Sequence, residues 1–163
     1  MDESAAAWRA VRARQVIAMR LSLKTLGHIA LGLNDEKARS LRDGADGWSI
    51  LEIVCHLRDF DEIFYQRAQM MLAQDHPQLP AYDHEAMAIE RNYQADSLAQ
   101  AYSALQTSRA RFVDFFKGLT EASWARGGIH PERDSFSMTD AAMQVPLHDL
   151  DHIEQITRVL SRS

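Results

Sequence analysis

The sequence predicts an all-α protein, a four-helix bundle formed by one domain over residues 1–163. Three observations carry that reading. Four long segments repeat apolar residues at three- and four-residue steps. Six of the seven glycines and three of the four prolines gather in the breaks between those segments. No segment carries the alternation of a strand. Long amphipathic helices without a sheet bury their stripes against one another, and an antiparallel bundle follows.

The first helix is expected from about Ser4 to Leu33. Val11, Val16, Met19, Leu23, Leu26 and Ile29 or Ala30 form its stripe. "GLNDEKARSLRDGADG" (32–47) breaks it. The second begins in "WSILEIVCHLRDFDEIFYQRAQMML" and runs to about Ala73. Ser49 and Glu52 make a capping box, with Trp48 as a hydrophobic staple onto Ile53. "DHPQLPAYD" (75–83) ends it. Over residues 82–95, "HEAMAIERN" reads equally as a short helix or as an extension of the next one. The third helix lies in "DSLAQAYSALQTSRARFVDFFKGL", capped by Asp96 or Ser97. It stops at Gly118, expected at C′. Its apolar side is Leu98, Ala101, Tyr102, Leu105, Phe112, Phe115 and Phe116. After "GLTEASWARGGIHPERDS" (118–135), the fourth helix starts near Ser137 or Thr139 and runs through Arg158 to Leu160. The connections exceed those of a minimal up-down bundle, and loops of such length often carry a site.

Composition narrows the partners. A net charge of −5 gives no general attraction to nucleic acid or to anionic lipid. The arginine-rich "WRAVRARQVIAMR" reads as a solvated helix face. No apolar run reaches membrane-spanning length, and the N-terminus lacks a signal-peptide core. The single cysteine, Cys55, forms no intrachain disulfide and fits a reducing, cytoplasmic location. It reads as a small buried hydrophobe. No phosphate-binding glycine loop, nucleophile elbow or dinucleotide fingerprint is present.

The chemistry lies in the histidines. His148 and His152 stand four apart, so a helix projects both from one face. Such a pair alone is more often solvated or packed than ligating. His56 adds a third imidazole. Its neighbours Ile53 and Phe60 are apolar, placing it on or beside the buried stripe of the second helix. A buried imidazole requires hydrogen-bonding partners or a metal. Three histidines from two helices can fill three positions around a tetrahedral ion and leave the fourth open. His28, His76 and His84 have no partners at ligand spacing, and the last two fall in a loop. Met70, Met71, Met138 and Met143 read as core filler.

"GWSILEIVCHLRDFDE" (47–62) and "LHDLDHIEQITRV" (147–159) resemble the second- and fourth-helix motifs of the DinB/YfiT-like superfamily: Gly-Trp-Ser, then Glu and His-Leu, and later His-Asp-x-x-His-x-x-Gln. "SRARFVDFFKGLTEASWAR" is similar to the family's third helix. The resemblance covers most of the chain in order. It implies up-down-down-up topology and a divalent metal, nickel or zinc, held by His56, His148 and His152. It also implies a homodimer and a small-molecule substrate, with either hydrolysis or transfer dependent on a low-molecular-weight thiol. The loop "HPERDSFSM" lacks the glycine the family often places after His-Pro, so no role is carried over to His130.

A metal with an open position can ionise a bound water or thiol near neutral pH. Glu52 and Asp59, one turn before and after His56, are the expected catalytic bases and partners of its ring. Asp149, adjacent to His148, points about 100° away from it and should reach another helix or loop. Gln155 could line the pocket or bond across the bundle. The alternative from another class is a non-enzymatic dimeric bundle with a structural or absent metal.

Overall fold

The computed structural model describes residues 3–162. Four long helices dominate: α1 (Glu3–Ala30), α3 (Ile50–Ala73), α5 (Leu98–Lys117) and α7 (Met138–Leu160). Short helices α2 (Asp35–Ser40), α4 (His84–Glu90) and α6 (Glu121–Trp124) fill the connections, with a 3-10 turn at Tyr93–Ala95. The starts follow local chemistry. Ser49 accepts from the Glu52 amide while Glu52 accepts from the Ser49 amide, closing the expected capping box. Ser137 and Asp140 make a second box at the start of α7. Gly118 ends α5 as the C-cap itself, at φ −82°, so no left-handed residue is needed there. No helix among the described residues is long and apolar enough to cross a membrane.

Side-chain pairings give the topology. Gln15 on α1 meets Thr139 on α7, and Ser22 further along α1 meets Asp149 further along α7, so these helices run parallel. Asp61 meets Ser108 and Arg109, while Tyr65 meets Phe112 and Phe115, so α3 and α5 are also parallel. Met19 pairs with Arg109 and Leu23 with Tyr102, which makes α1 antiparallel to α5. His56 faces His152 and Phe64 faces His148, which makes α3 antiparallel to α7. The order is up-down-down-up.

The core divides into two apolar clusters. One holds Met19, Ile63, Phe112, Phe116, Met138 and Val145. The other holds Leu26, Leu57, Leu105, Ile153 and Ile156. In every long helix a polar residue separates the two sets: Ser22, Asp61, Arg109 and Asp149, all buried. Arg109 ties them together, donating to Asp61 at 2.5 Å, to Asp149 at 2.6 and 3.0 Å, and to the Met19 carbonyl at 2.7 Å. Met143, expected in the core, is exposed.

One feature departs from the all-helical expectation. Gly127–His130 and Asp134–Ser137 pair as an antiparallel hairpin. Its inward positions include Gly128 and His130, so no apolar alternation marks it. A Cβ at Gly128 would stand 2.9 Å from the Pro77 carbonyl, which explains that residue. The turn needs no glycine because Asp134 takes the left-handed conformation, at φ 54°.

Replacing Arg109 by leucine strands two buried carboxylates. Urea unfolding should show a loss of about 3–5 kcal/mol, the range for breaking a buried ion pair from one side.

Candidate metal centre

His56 sits two turns into α3, rigidly placed by the capping box, and His148 and His152 face it from the antiparallel α7. The three expected residues come together: one ring nitrogen from each lies within 4.8 Å of the others. The Nε2 atoms of His56 and His148 are 2.9 Å apart. All three rings are held neutral. Burial is the first cause, and mutual proximity adds to it for His56 and His148, bringing His148 down to about 3. Neutral imidazoles with bare nitrogens are the form a metal requires.

Two different devices orient the rings. His152 Nδ1 lies 2.8 Å from Gln155 Oε1, an acceptor, so the proton sits on Nδ1 and Nε2 is left bare. Gln155 Nε2 donates in turn to Asp43, which Arg158 holds at 2.7 Å. His56 has no such relay. Its Nδ1 is buried without a hydrogen-bond partner. Packing fixes this ring instead, between Trp48 at 4.8 Å and Phe60 at 4.3 Å between centroids. The donor set therefore fits a borderline divalent ion: three neutral nitrogens converge, and one carries its own orienting chain.

The rings open on a pocket of about 510 Å³, walled by Trp48, Phe60, His84, Glu85, Glu132 and Gln155 among others. His84 belongs to this wall, 6.1 Å from His56 between ring centroids, although sequence spacing gave it no partner. The start of α4 delivers it there. The only warning in the sequence was the option of a short helix at "HEAMAIERN".

Glu52 and Asp59 are placed elsewhere, and neither lines the pocket. Burial pushes the Glu52 carboxyl up, but hydrogen bonds from Gln94 and Ser49 and the Arg42 charge outweigh it, holding Glu52 below its ordinary value. Asp59 accepts from the Tyr93 hydroxyl at 2.7 Å and pairs with Arg58 and Arg91. Burial raises its carboxyl and those partners more than offset the rise. Carboxylates so neutralised are poor bases, and these two brace α3 against the loops. Asp149 turns inward to Arg109 and Ser22 rather than to a histidine. Cys55 is buried beside Asp96, and burial pushes its thiol up to about 12, which keeps it unreactive. His130 is buried in the hairpin and lines, with Phe60, Phe64 and His148, a chamber beside the imidazoles.

The depressed histidines tie metal-free stability to pH. An unfolded chain carries histidines of ordinary basicity, about 6.5, and below that pH it binds protons the folded chain refuses. Stability contributed by the three rings is thus complete above about pH 6.5 and is lost as the pH falls toward 3. Urea unfolding of the metal-free protein at pH 7.5, 6.5, 5.5 and 5 should show this decline, and His56→Gln should reduce its slope. Parallel slopes would contradict the assignment.

A family model for the DinB superfamily matches residues 4–156. The chain is 27% identical over 139 residues to an Oceanobacillus iheyensis protein provisionally named as a metal-dependent hydrolase, covering 85% of this chain and 79% of that one. It is 26% identical over 122 residues to YfiT of Bacillus subtilis, which carries the same provisional name, covering 74% and 67%. The solved structure of YfiT, described as a four-helix bundle of unusual topology, superimposes with a TM-score of 0.85 at 20% identity, over 93% of this chain and 86% of that one. A mycothiol-dependent maleylpyruvate isomerase superimposes at 0.74 with 11% identity, over 89% of this chain and 60% of that longer one. Likeness at these identities establishes the fold.

Proposed function

The chain belongs to the DinB superfamily, and we propose that it is a metal-dependent enzyme acting on a small molecule, with His56, His148 and His152 ligating nickel or zinc. The observation that carries this reading is the convergence of three neutral imidazoles on one wall of an open pocket. Three protein ligands leave a coordination position for a reactant. A divalent ion held there supplies Lewis acidity that brings a water or a thiol toward its ionised form near neutral pH.

The remaining work belongs to the chain's own side chains. Gln155 keeps His152 in the tautomer that presents Nε2. Trp48 and Phe60 fix His56 and exclude water from its back. Glu132 lines the pocket with no ion pair among the described residues, and His84 stands opposite the imidazoles, so these two can accept or return a proton at the substrate. Hydrolysis is favoured by the provisional names of the sequence relatives. Thiol-dependent transfer is the second reading, because the mycothiol-dependent isomerase shares the fold. Assays with mycothiol, bacillithiol and glutathione separate the two.

Untagged protein purified without chelator should carry a single nickel or zinc ion per chain by elemental analysis. His152→Ala should lose that ion while far-UV circular dichroism stays unchanged; full metal content in the variant would refute the ligand assignment. Gln155→Ala should weaken metal affinity by about 10–100-fold, the usual effect of removing a ligand's orienting partner.

A further inference from the structure

A second cavity adjoins the imidazole pocket and contains a buried cation that no carboxylate pairs with directly among the described residues. Arg67 lies on α3 about three turns beyond His56 and is 6% exposed. Arginine is almost never buried unless paired, because an isolated cation loses its hydration. Among the described residues, the Arg67 guanidinium has no carboxylate partner. Its Nη2 donates to the Pro80 carbonyl at 2.5 Å, and its Nη1 lies 3.2 Å from His130 Nε2. Tyr82 covers it, ring centroid to guanidinium carbon 5.7 Å. The Nε is buried with no acceptor at all. A guanidinium has five N–H bonds to satisfy, and these contacts take two at most.

The His130 contact is not a stable pairing. The Glu132 backbone amide donates to His130 Nδ1 at 3.2 Å. A neutral imidazole has one bare nitrogen, so its proton then sits on Nε2. That N–H and the Arg67 Nη1–H face each other as two donors. An acceptor oxygen between them would relieve the clash and serve both.

The chamber is about 150 Å³, with Phe60, Phe64 and Tyr82 among its walls. It shares Phe60, His84, Glu132 and His148 with the imidazole pocket, so the two spaces are adjacent. We propose that Arg67 and His130 bind the carboxylate of a small organic acid whose reacting end faces His56, His148 and His152. The substrate class so named rests on the metal-centre reading; the anion site itself does not. Three features favour a carboxylate over a phosphate. The planar guanidinium fork matches a planar two-oxygen acceptor. The aromatic walls suit the carbon that bears it. Glu132 and Arg133 line the chamber together, so their charges offset and Arg67 is left to match a single negative charge.

The test titrates propionate, its uncharged isostere propionamide, and inorganic phosphate into metal-free and zinc-loaded protein, read by calorimetry and by the His130 ring nitrogen resonances. Metal-free protein should bind propionate at least about tenfold more tightly than propionamide, the worth of one hydrogen bond to a charged group. The His130 resonances should move with propionate. Arg67→Gln should erase the preference, Arg67→Lys should keep part of it, and His152→Ala should keep all of it. Equal binding of propionate and propionamide, unmoved His130 resonances, or a preference that survives Arg67→Gln would overturn the site. So would a preference seen only with zinc and abolished by His152→Ala, which puts the carboxylate on the metal. Arg67-dependent phosphate binding tighter than that of propionate overturns the choice of carboxylate. If Arg67→Gln does not fold, the His130 resonances and Arg67→Lys still decide. Protein that retains no metal yet shows the preference fails the metal-centre reading and leaves the anion site standing.

Discussion

A guanidinium sealed in the middle of the bundle holds four helices at one level. Arg109 belongs to α5 and bonds the Met19 carbonyl of α1, Asp61 of α3 and Asp149 of α7, and Ser22 of α1 donates to Asp149 at 2.5 Å. Apolar stripes alone allow helices to slide by a turn with little loss, since one leucine fits a groove much as another does. A buried charge allows no such slip, because any shift leaves it without its acceptors. The set holds two carboxylates for one guanidinium, and burial raises the Asp61 carboxyl accordingly. Such a layer adds little net stability against a well-packed apolar replacement. Its effect is on register, and register is what the imidazoles need.

Asp149 follows His148 directly, and that adjacency transmits the constraint to the site. With Asp149 drawn inward to Arg109, the 100° step between neighbouring helical residues turns His148 toward the seam with α3, and His152 follows one turn on. On the other side, Asp61 fixes α3 five residues after His56. Both helices that carry ligands are therefore pinned by the same arginine. The site adjoins the level where the apolar core is already interrupted, with His148 directly beside Asp149 and His56 and His152 within two turns of the layer. The two hydrophobic clusters above and below supply the packing energy that offsets the orphaned Nδ1 of His56.

The long helices and the three histidines were legible because their signals are local or repeated. A capping box reads from four residues, a stripe from three turns, and an H-x-x-x-H pair from one turn. Helix order could not be read this way; it came from resemblance, since up-down-down-up depends on which stripes meet. The hairpin stayed hidden because glycine and a buried histidine occupy inward positions that alternation would give to valine or isoleucine. His84 and Asp43 were missed because their roles depend on where loops land, His84 on the pocket wall and Asp43 behind Gln155. Glu52 and Asp59 misled for a related reason. Sequence distance put them beside His56, but a residue four before and one three after also face the neighbouring loops. Arg42, Arg58, Arg91 and Tyr93 claimed them first.

Arg67 shows the same limit from the opposite direction. In the sequence it is one of many arginines, and nothing in "FYQRAQMML" marks it as unpaired. Only the path of residues 80–84 and the hairpin closes the space around it, bringing the Pro80 carbonyl, Tyr82 and His130 against the guanidinium. Its place on α3 then matters. His56 and Arg67 stand on one continuous helix, eleven residues and about 16 Å of axial rise apart at the backbone. A long arginine leaning toward the helix N-terminus shortens that gap. The spacing between the two ends of a bound organic acid is thus set by a helix that the Arg109 layer holds rigid. The groups that contact its flanks, His84, Tyr82 and Glu132, sit on or beside loops that can differ without moving either end. A fold built this way can change what lies between the reacting centre and the anion while keeping both, because its fixed distances reside in the bundle and its variable walls in the connections.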